Sequence, residues 1–496
     1  YPSDSTTSGG AMSPCTTPEW VQDAVFYQIF PDRFASARYP QIPKPANLEA
    51  WDTPPTSHGF KGGDLIGVLE KLDYLQDLGI NAIYFTPVFQ SASNHRYHTH
   101  DYLKVDPILG GDAALRRLLD EAHRRGIRIV LDGVFNHASR GFFQFNHILE
   151  CGASSPYVDW FRVHGYPLHA YEGKPNYECW WNLPALPTFN HANPQVKKYI
   201  YEVARYWLDQ GIDGWRLDVP FEVQEEGFWQ GFREVVKTAN PQAYITGEIP
   251  WDATPWLQGD QFDGVMNYLF TYANWSFFGG RNIHRELVGH WEGHGPQYFS
   301  TSGTGFLANL EKLLHLYPMP AVLAQLNLLD SHDTARFLSI TGGDPRLLKL
   351  ATLVQFTYPG APSIYYGDEV GVEGGQDPDC RRSFPWDESR WDHKLRSYFQ
   401  LLIRLRLAHP ALRTGEFIPL GSTEDAVAYL RRLDGACFVI VINNSDAPFH
   451  ITFPAGPLAD GTVLQDLLGK GTARVENGNF AGLALPPRTG ALLQAG

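Results

Sequence analysis

The chain has 496 residues, a formal net charge of −14, 43% hydrophobic and 19% charged residues. That balance suits a folded chain with a large apolar core, and the acidic surplus argues against nucleic acid or an anionic lipid surface, either of which calls for a basic face. Five scattered cysteines (Cys15, Cys151, Cys179, Cys380, Cys437) form neither a disulfide framework nor a zinc pattern, and no apolar run approaches a membrane span.

Residues 1–20 are read as a flexible tail in which no export signal is visible, so a signal, if one existed, has been removed. From Ala24 onward, short β-branched or aromatic runs alternate with helical ones. The strand candidates in chain order are AVFYQIF (from Ala24), INAIYFTPV (Ile80), IRIVLDGVF (Ile127), IDGWRLDV (Ile212), AYITGEI (Ala243), FDGVMNY (Phe262), VLAQLNLLD (Val322) and APSIYYG (Ala361). Segments 64–79, 113–126, 194–211 and 344–358 have apolar residues at helical spacing, and three of them close on a glycine suited to a helix end. Eight strands separated by helices predict a closed (β/α)8 barrel, a TIM barrel of α/β class, over an open doubly wound sheet, and no glycine-rich phosphate turn follows the first strand.

The barrel is assigned to residues 21–137 and 192–410. Between them, 138–191 reads as an inserted domain B after the third strand, rich in Trp, Tyr, Pro and Gly; an insertion that long on the strand-end side is usually functional. Residues 411–496, with AVAYLRRL, CFVIVIN and FHITF, read as a C-terminal antiparallel β-sandwich. The 14 Trp, 24 Tyr and 30 Phe are expected mainly in the core, with sugar platforms as the minority use.

Three acids, Asp218, Glu248 and Asp333, each follow a strand candidate, and side chains there converge at one mouth of a parallel barrel. In GWRLD, Arg216 and Asp218 are two residues apart on a strand and project together, so the arginine is expected to lower the carboxyl's pKa and keep it ionised, unless the two are only a structural ion pair. Glu248 could donate a proton if its surroundings keep its acidity weak. His137 and His332 lie beside strand ends, where imidazole could bond hydroxyls, serve structure or bind metal, and Tyr97 could stack on a ring or pack a loop.

DGVFNH, GWRLDV, GEIP and LLDSHD, in that order, resemble the four ordered regions of the α-amylase superfamily. YQIFPDRF, LPTFN and YYGDEVGVEGGQDPDCR are similar to its neopullulanase, cyclomaltodextrinase and maltogenic amylase branch. The resemblance implies a retaining α-glucan hydrolase, cutting α-1,4 bonds of maltodextrin, starch, pullulan or cyclodextrin with some transfer to sugar acceptors. It implies Asp218 as nucleophile, Glu248 as general acid and base, and Asp333 as transition-state stabiliser. Tyr97, His137, Arg216 and His332 would hold the sugar at the cleavage point, and Asp377 and Arg381 the next glucose; Trp180 and Trp181 are taken as aromatic contacts in domain B.

The resemblance also has departures. The branch carries an N-terminal β-domain that supports dimers, whereas here the barrel starts almost at once, so a monomer is expected. Glu222 stands where secreted α-amylases have a calcium-site histidine, and ASARYPQIPKPAN offers few hard oxygen ligands, so no metal or cofactor is expected, with calcium held by backbone carbonyls and Asn136 as the alternative. Pro250 separates Glu248 from Trp251, which could alter the acceptor side. The partner is an α-glucan, not nucleic acid or membrane, and few cysteines lean to the cytoplasm, with secretion after signal removal as the alternative. An exo-acting α-glucosidase or sugar isomerase on the same barrel, and a non-catalytic glucan-binding protein, are the competing readings.

Overall fold

The structure is a computed structural model that describes residues 15–38, 42–288 and 299–496. Eight parallel strands form the ring: β1 (Phe26–Ile29), β2 (Ala82–Phe85), β3 (Arg128–Gly133), β4 (Gly214–Leu217), β5 (Tyr244–Gly247), β6 (Gly264–Val265), β7 (Leu326–Leu328) and β8 (Ala361–Tyr365). They neighbour one another in the order β6-β5-β4-β3-β2-β1-β8-β7, and the Met266–Leu326 bridge links the two ends. Sequential order around a parallel ring is the topology of a (β/α)8 barrel.

Alternation along each strand sorts residues between two cores. Phe26, Ala82, Tyr84, Val130 and Tyr244 fill the barrel, while Tyr27, Ile83, Ile129, Trp215 and Ile245 face the surrounding helices. The same alternation turns Gln28, Asp132 and Arg216 inward near the strand ends. Asp132 and Arg216 are register partners on β3 and β4.

Several elements differ from expectation. The first expected helix is two, Leu65–Glu70 and Leu72–Leu78, because Lys71 leaves helical geometry at φ −106°, ψ 6°. Strands β6 and β7 are shorter than their apolar runs: Pro320, which cannot donate a backbone hydrogen bond, lies in the first turn of a short helix, Met319–Leu323, that takes up the start of the seventh run. The three glycines expected at helix ends, Gly79, Gly126 and Gly211, all have positive φ, at 100°, 71° and 104°. All five cysteines are free. Among the described residues no helix is long and apolar enough to cross a membrane.

Residues 138–191 contain the helix Phe143–Cys151 and short 3-10 turns held by isolated bridges, with Phe145, Phe161, Tyr177 and Phe189 buried among one another. Half of the Phe, Tyr and Trp rings of this insertion are therefore core. At the other end of the chain lies a seven-stranded antiparallel sheet with the ribbon Phe449–His450/Ala484–Leu485 beside it. Its second strand is buried on both sides: Val427 and Tyr429 face the barrel helices, whereas Ala426, Ala428 and Leu430 face an outer core containing Ile451, Phe453 and Leu485.

Two buried arginines fasten this sheet to the barrel. Arg406 donates to the carbonyls of Phe356, Tyr358, Gly360 and Leu412, and Arg431 donates to those of Thr357, Leu412, Arg413 and Gly415. Burial lowers both pKa values, but a guanidinium stays protonated, so the carbonyl dipoles carry the solvation that water would otherwise give. Arg431→Met is expected to cost about 3 kcal/mol by leaving carbonyls unpaired. Arg432→Met, which loses only a pair with Glu416 at the surface, is expected to cost under about 1 kcal/mol. Denaturant or thermal melts giving equal losses for the two variants would contradict this account of the seam.

Candidate active site

Arg216 organises the barrel mouth. Its guanidinium is fully buried, and Nη1 donates to Asp132 Oδ1 and Oδ2 at 3.1 and 3.0 Å and to Asp218 Oδ1 at 3.2 Å. Nη2 lies 3.0 Å from Glu248 Oε2, an ion pair without the alignment of a hydrogen bond. Three carboxylates from the ends of β3, β4 and β5 thus share one cation. Val219 N–H donates to the same Glu248 Oε2 at 3.1 Å. Val219 sits at φ 35°, a left-handed conformation rare for a β-branched residue, just before Pro220, which disfavours right-handed helical geometry in the residue ahead of it.

A second chain of bonds ties in the expected residues Tyr97, His332 and Asp333. Gln28 Nε2 is 2.7 Å from His332 Nδ1, and His332 Nε2 is 2.6 Å from the Tyr97 hydroxyl and 3.0 Å from Asp333 Oδ2. The Tyr97 hydroxyl also donates to Asp132 Oδ2 at 2.9 Å. Because the Gln28 amide nitrogen can only donate, the network assigns the imidazole proton to Nε2, which serves the Tyr97 oxygen and Asp333. Burial, then the charges of Arg381 and Arg216, holds His332 neutral, well below the ordinary histidine range.

Asp333 is 24% exposed, more open than Asp218 and Glu248. Arg381 clamps it from the far side: Nη2 donates to Asp333 Oδ1 at 3.3 Å, Nε to the His332 carbonyl at 2.8 Å, and Nη1 pairs with the exposed Asp377 at 3.0 Å. His137 is buried beside Asn136, its Nδ1 3.2 Å from Asn136 Nδ2, and burial lowers its pKa to about 3. Its ring stacks on Trp180 of the insertion, and it also meets the backbone of Tyr97.

The electrostatics correct one expectation. Burial, reinforced by the charge of Glu248 and only partly opposed by Arg216, pushes the Asp218 carboxyl well above its usual range. Glu248 is raised to about 7, again mainly by burial and against the pull of Arg216. A single guanidinium divided among Asp132, Asp218 and Glu248 cannot keep all three ionised, so these acids hold a proton between them. Sequence reasoning treated Arg216 as the partner of Asp218 alone and left out Asp132 and Gln28. Both sit in short motifs at inward-facing positions, so the alternation of β1 and β3 was the signal for them.

Two places bear on the question of calcium. After PDRF, residues 39–41 of the loop lie outside the described residues. Within the rest, the Lys44 ammonium is already bonded to Ser36 Oγ, the Gly62 carbonyl and Asp64 Oδ2, at 3.0, 2.7 and 3.1 Å, so a lysine holds the oxygens a cation would use. At the other place, no three His, Cys, Asp or Glu side chains among the described residues are grouped to share an ion.

This geometry agrees with the comparisons. Residues 28–406 match the family model for the alpha-amylase catalytic domain. A cyclomaltodextrinase from a Bacillus species is 47% identical over 87% of this chain and 74% of its own length, and neopullulanase 2 from Thermoactinomyces vulgaris is 45% identical over 86% and 70%. The crystal structure of a debranching enzyme from Nostoc punctiforme superposes with a TM-score of 0.88 at 49% identity, covering 97% of this chain and 100% of that one. A barrel with buried acids gathered at its strand ends and relatives this similar lead to one conclusion: the chain belongs to the α-amylase family and is a glycoside hydrolase.

Proposed function

We propose that this enzyme cleaves α-1,4-glucosidic bonds of maltodextrin, starch, pullulan or cyclodextrin by double displacement, with retention at the anomeric carbon and some transfer to sugar acceptors. The observation that carries this reading is the sharing of Arg216 by Asp218 and Glu248. Acids paired with the two terminal nitrogens of one guanidinium, at 3.2 and 3.0 Å, are held near each other, which supports the about 5–5.5 Å spacing of a nucleophile and its acid partner over the wider gap that inversion needs for water.

In this reading Asp218 attacks the anomeric carbon while Glu248 gives its proton to the leaving oxygen. Glu248, now ionised, takes a proton from the water that frees the sugar from Asp218, or from a sugar hydroxyl when transfer occurs. Asp333, steadied by His332 and Arg381, faces the positive charge that grows on the ring. Tyr97, His137, Arg216 and His332 hold the sugar at the cleavage point, and Asp377 with Arg381 grips the next glucose on the non-reducing side. The raised pKa of Glu248 supports its role, because a group titrating at about 7 still holds a proton near neutrality.

One observation favours a second reading, cleavage of α-1,6 branch points: the Nostoc punctiforme protein that this chain covers from end to end is named a debranching enzyme. We further take the enzyme to work in the cytoplasm without a metal. The Lys44 ammonium in its oxygen nest supports the absence of calcium, and the free cysteines support the compartment.

Kinetics of two variants test these roles. Asp218→Asn and Glu248→Gln should each lower kcat/KM on maltoheptaose roughly a thousandfold or more. On α-maltosyl fluoride, whose leaving group needs no proton, Glu248→Gln should still form the glycosyl-enzyme and Asp218→Asn should not. In the wild type, kcat/KM should fall as pH rises through about 7, where Glu248 loses its proton. Full activity of Asp218→Asn, or equal behaviour of the two variants on the fluoride, would remove these roles. Dialysis against EDTA should leave activity and melting unchanged; a loss restored by calcium would reinstate a metal. Product profiles on maltoheptaose and on branched dextrin separate the two bond types.

A further inference from the structure

The insertion carries a stack of rings that starts on His137, just past the end of β3. His137 faces Trp180 with ring centroids 5.3 Å apart at 23°, and Trp180 faces Trp181 at 4.5 Å and 7°. The stack ends in solvent: Trp181 is 59% exposed. Trp181 and Asn182 both have positive φ, 50° and 57°, so the chain adopts a backbone that such residues rarely take in order to present this indole.

Beside the stack lies a cavity of about 480 Å³, within the range of ligand sites, walled by Trp180, Trp181, Glu178, Asn136, Glu222 and Gln224 among others. Two of its polar atoms are buried without partners: Trp180 Nε1, which can only donate, and Asn136 Oδ1, which can only accept. Asn136 is itself only 2% exposed. A sugar hydroxyl both accepts and donates. An indole face offered to solvent beside such groups suits the apolar C–H face of a pyranose.

Topology says which part of a glucan this is. The insertion follows β3 and Glu222 follows β4, whereas Asp333 and Asp377 follow β7 and β8, on the opposite rim of an eight-stranded ring. With Asp377 and Arg381 on the non-reducing side, the stack stands on the leaving-group side.

We propose that Trp180 and Trp181 form a binding platform for the reducing-side part of the glucan, with Trp181 as the residue that makes the enzyme prefer longer chains. The proposal rests on the α-glucan reading above. Trp181, being exposed, can be changed without opening the core.

In Trp181→Ala the ratio of kcat/KM on maltoheptaose to that on maltotriose should fall about tenfold, the size expected of one aromatic contact, and Trp181→Phe should restore much of it. In the inactive Asp218→Asn protein, maltoheptaose should change the tryptophan emission, and this change should shrink when Trp181→Ala is added. An unaltered ratio with an unaltered emission response would overturn the platform. A wild-type protein that releases no sugar from maltoheptaose, yet whose Asp218→Asn form still shows the Trp181-dependent emission change, would sink the hydrolytic reading and leave the platform standing.

Discussion

Everything at the barrel mouth depends on the buried guanidinium of Arg216. Asp132, Asp218 and Glu248 could not share an enclosed site without a cation among them, since each burial would cost several kcal/mol and the acids repel one another. Arg216 in turn could not be buried without them. The pairing is fixed by the sheet, because Asp132 and Arg216 are register partners and Glu248 ends the next strand over. The fold and the chemistry are held by the same contacts.

One positive charge among three acids leaves the cluster short, and that shortage is useful. It keeps a proton in the site near neutral pH, where Glu248 titrates at about 7. Around this cluster the Gln28–His332–Tyr97 chain fixes a neutral imidazole and a tyrosine hydroxyl whose proton points at Asp132. These groups are set before substrate arrives, so little reorganisation remains for the reaction step. Val219, held in a strained backbone, spends its N–H on Glu248 and leaves the other carboxyl oxygen for the proton.

Much of this was legible in the chain. The inward positions of Arg216, Asp218 and Glu248 follow from alternation along short strands, and the order of eight strand-like runs is the order of the ring. The run from Val322 was misread in length because apolar content does not separate strand from buried helix; Pro320 was the local clue. Electrostatics was the harder part. From GWRLD alone, Arg216 belongs to Asp218; only the assembled ring shows that Asp132 takes two of its contacts, and that burial and the charge of Glu248 raise the Asp218 carboxyl where a lowering was expected. The stacking of His137 on Trp180, about forty positions later on a loop of no regular period, was not legible either.

The claim that Asp218 and Glu248 act as a closely spaced pair on Arg216 fixes the stereochemistry of the product. Proton NMR during the first minutes of maltoheptaose hydrolysis, before the anomers interconvert, reads it directly. The account predicts that new reducing ends appear first in the α form. Early accumulation of the β form would mean a single displacement by water, and would contradict it.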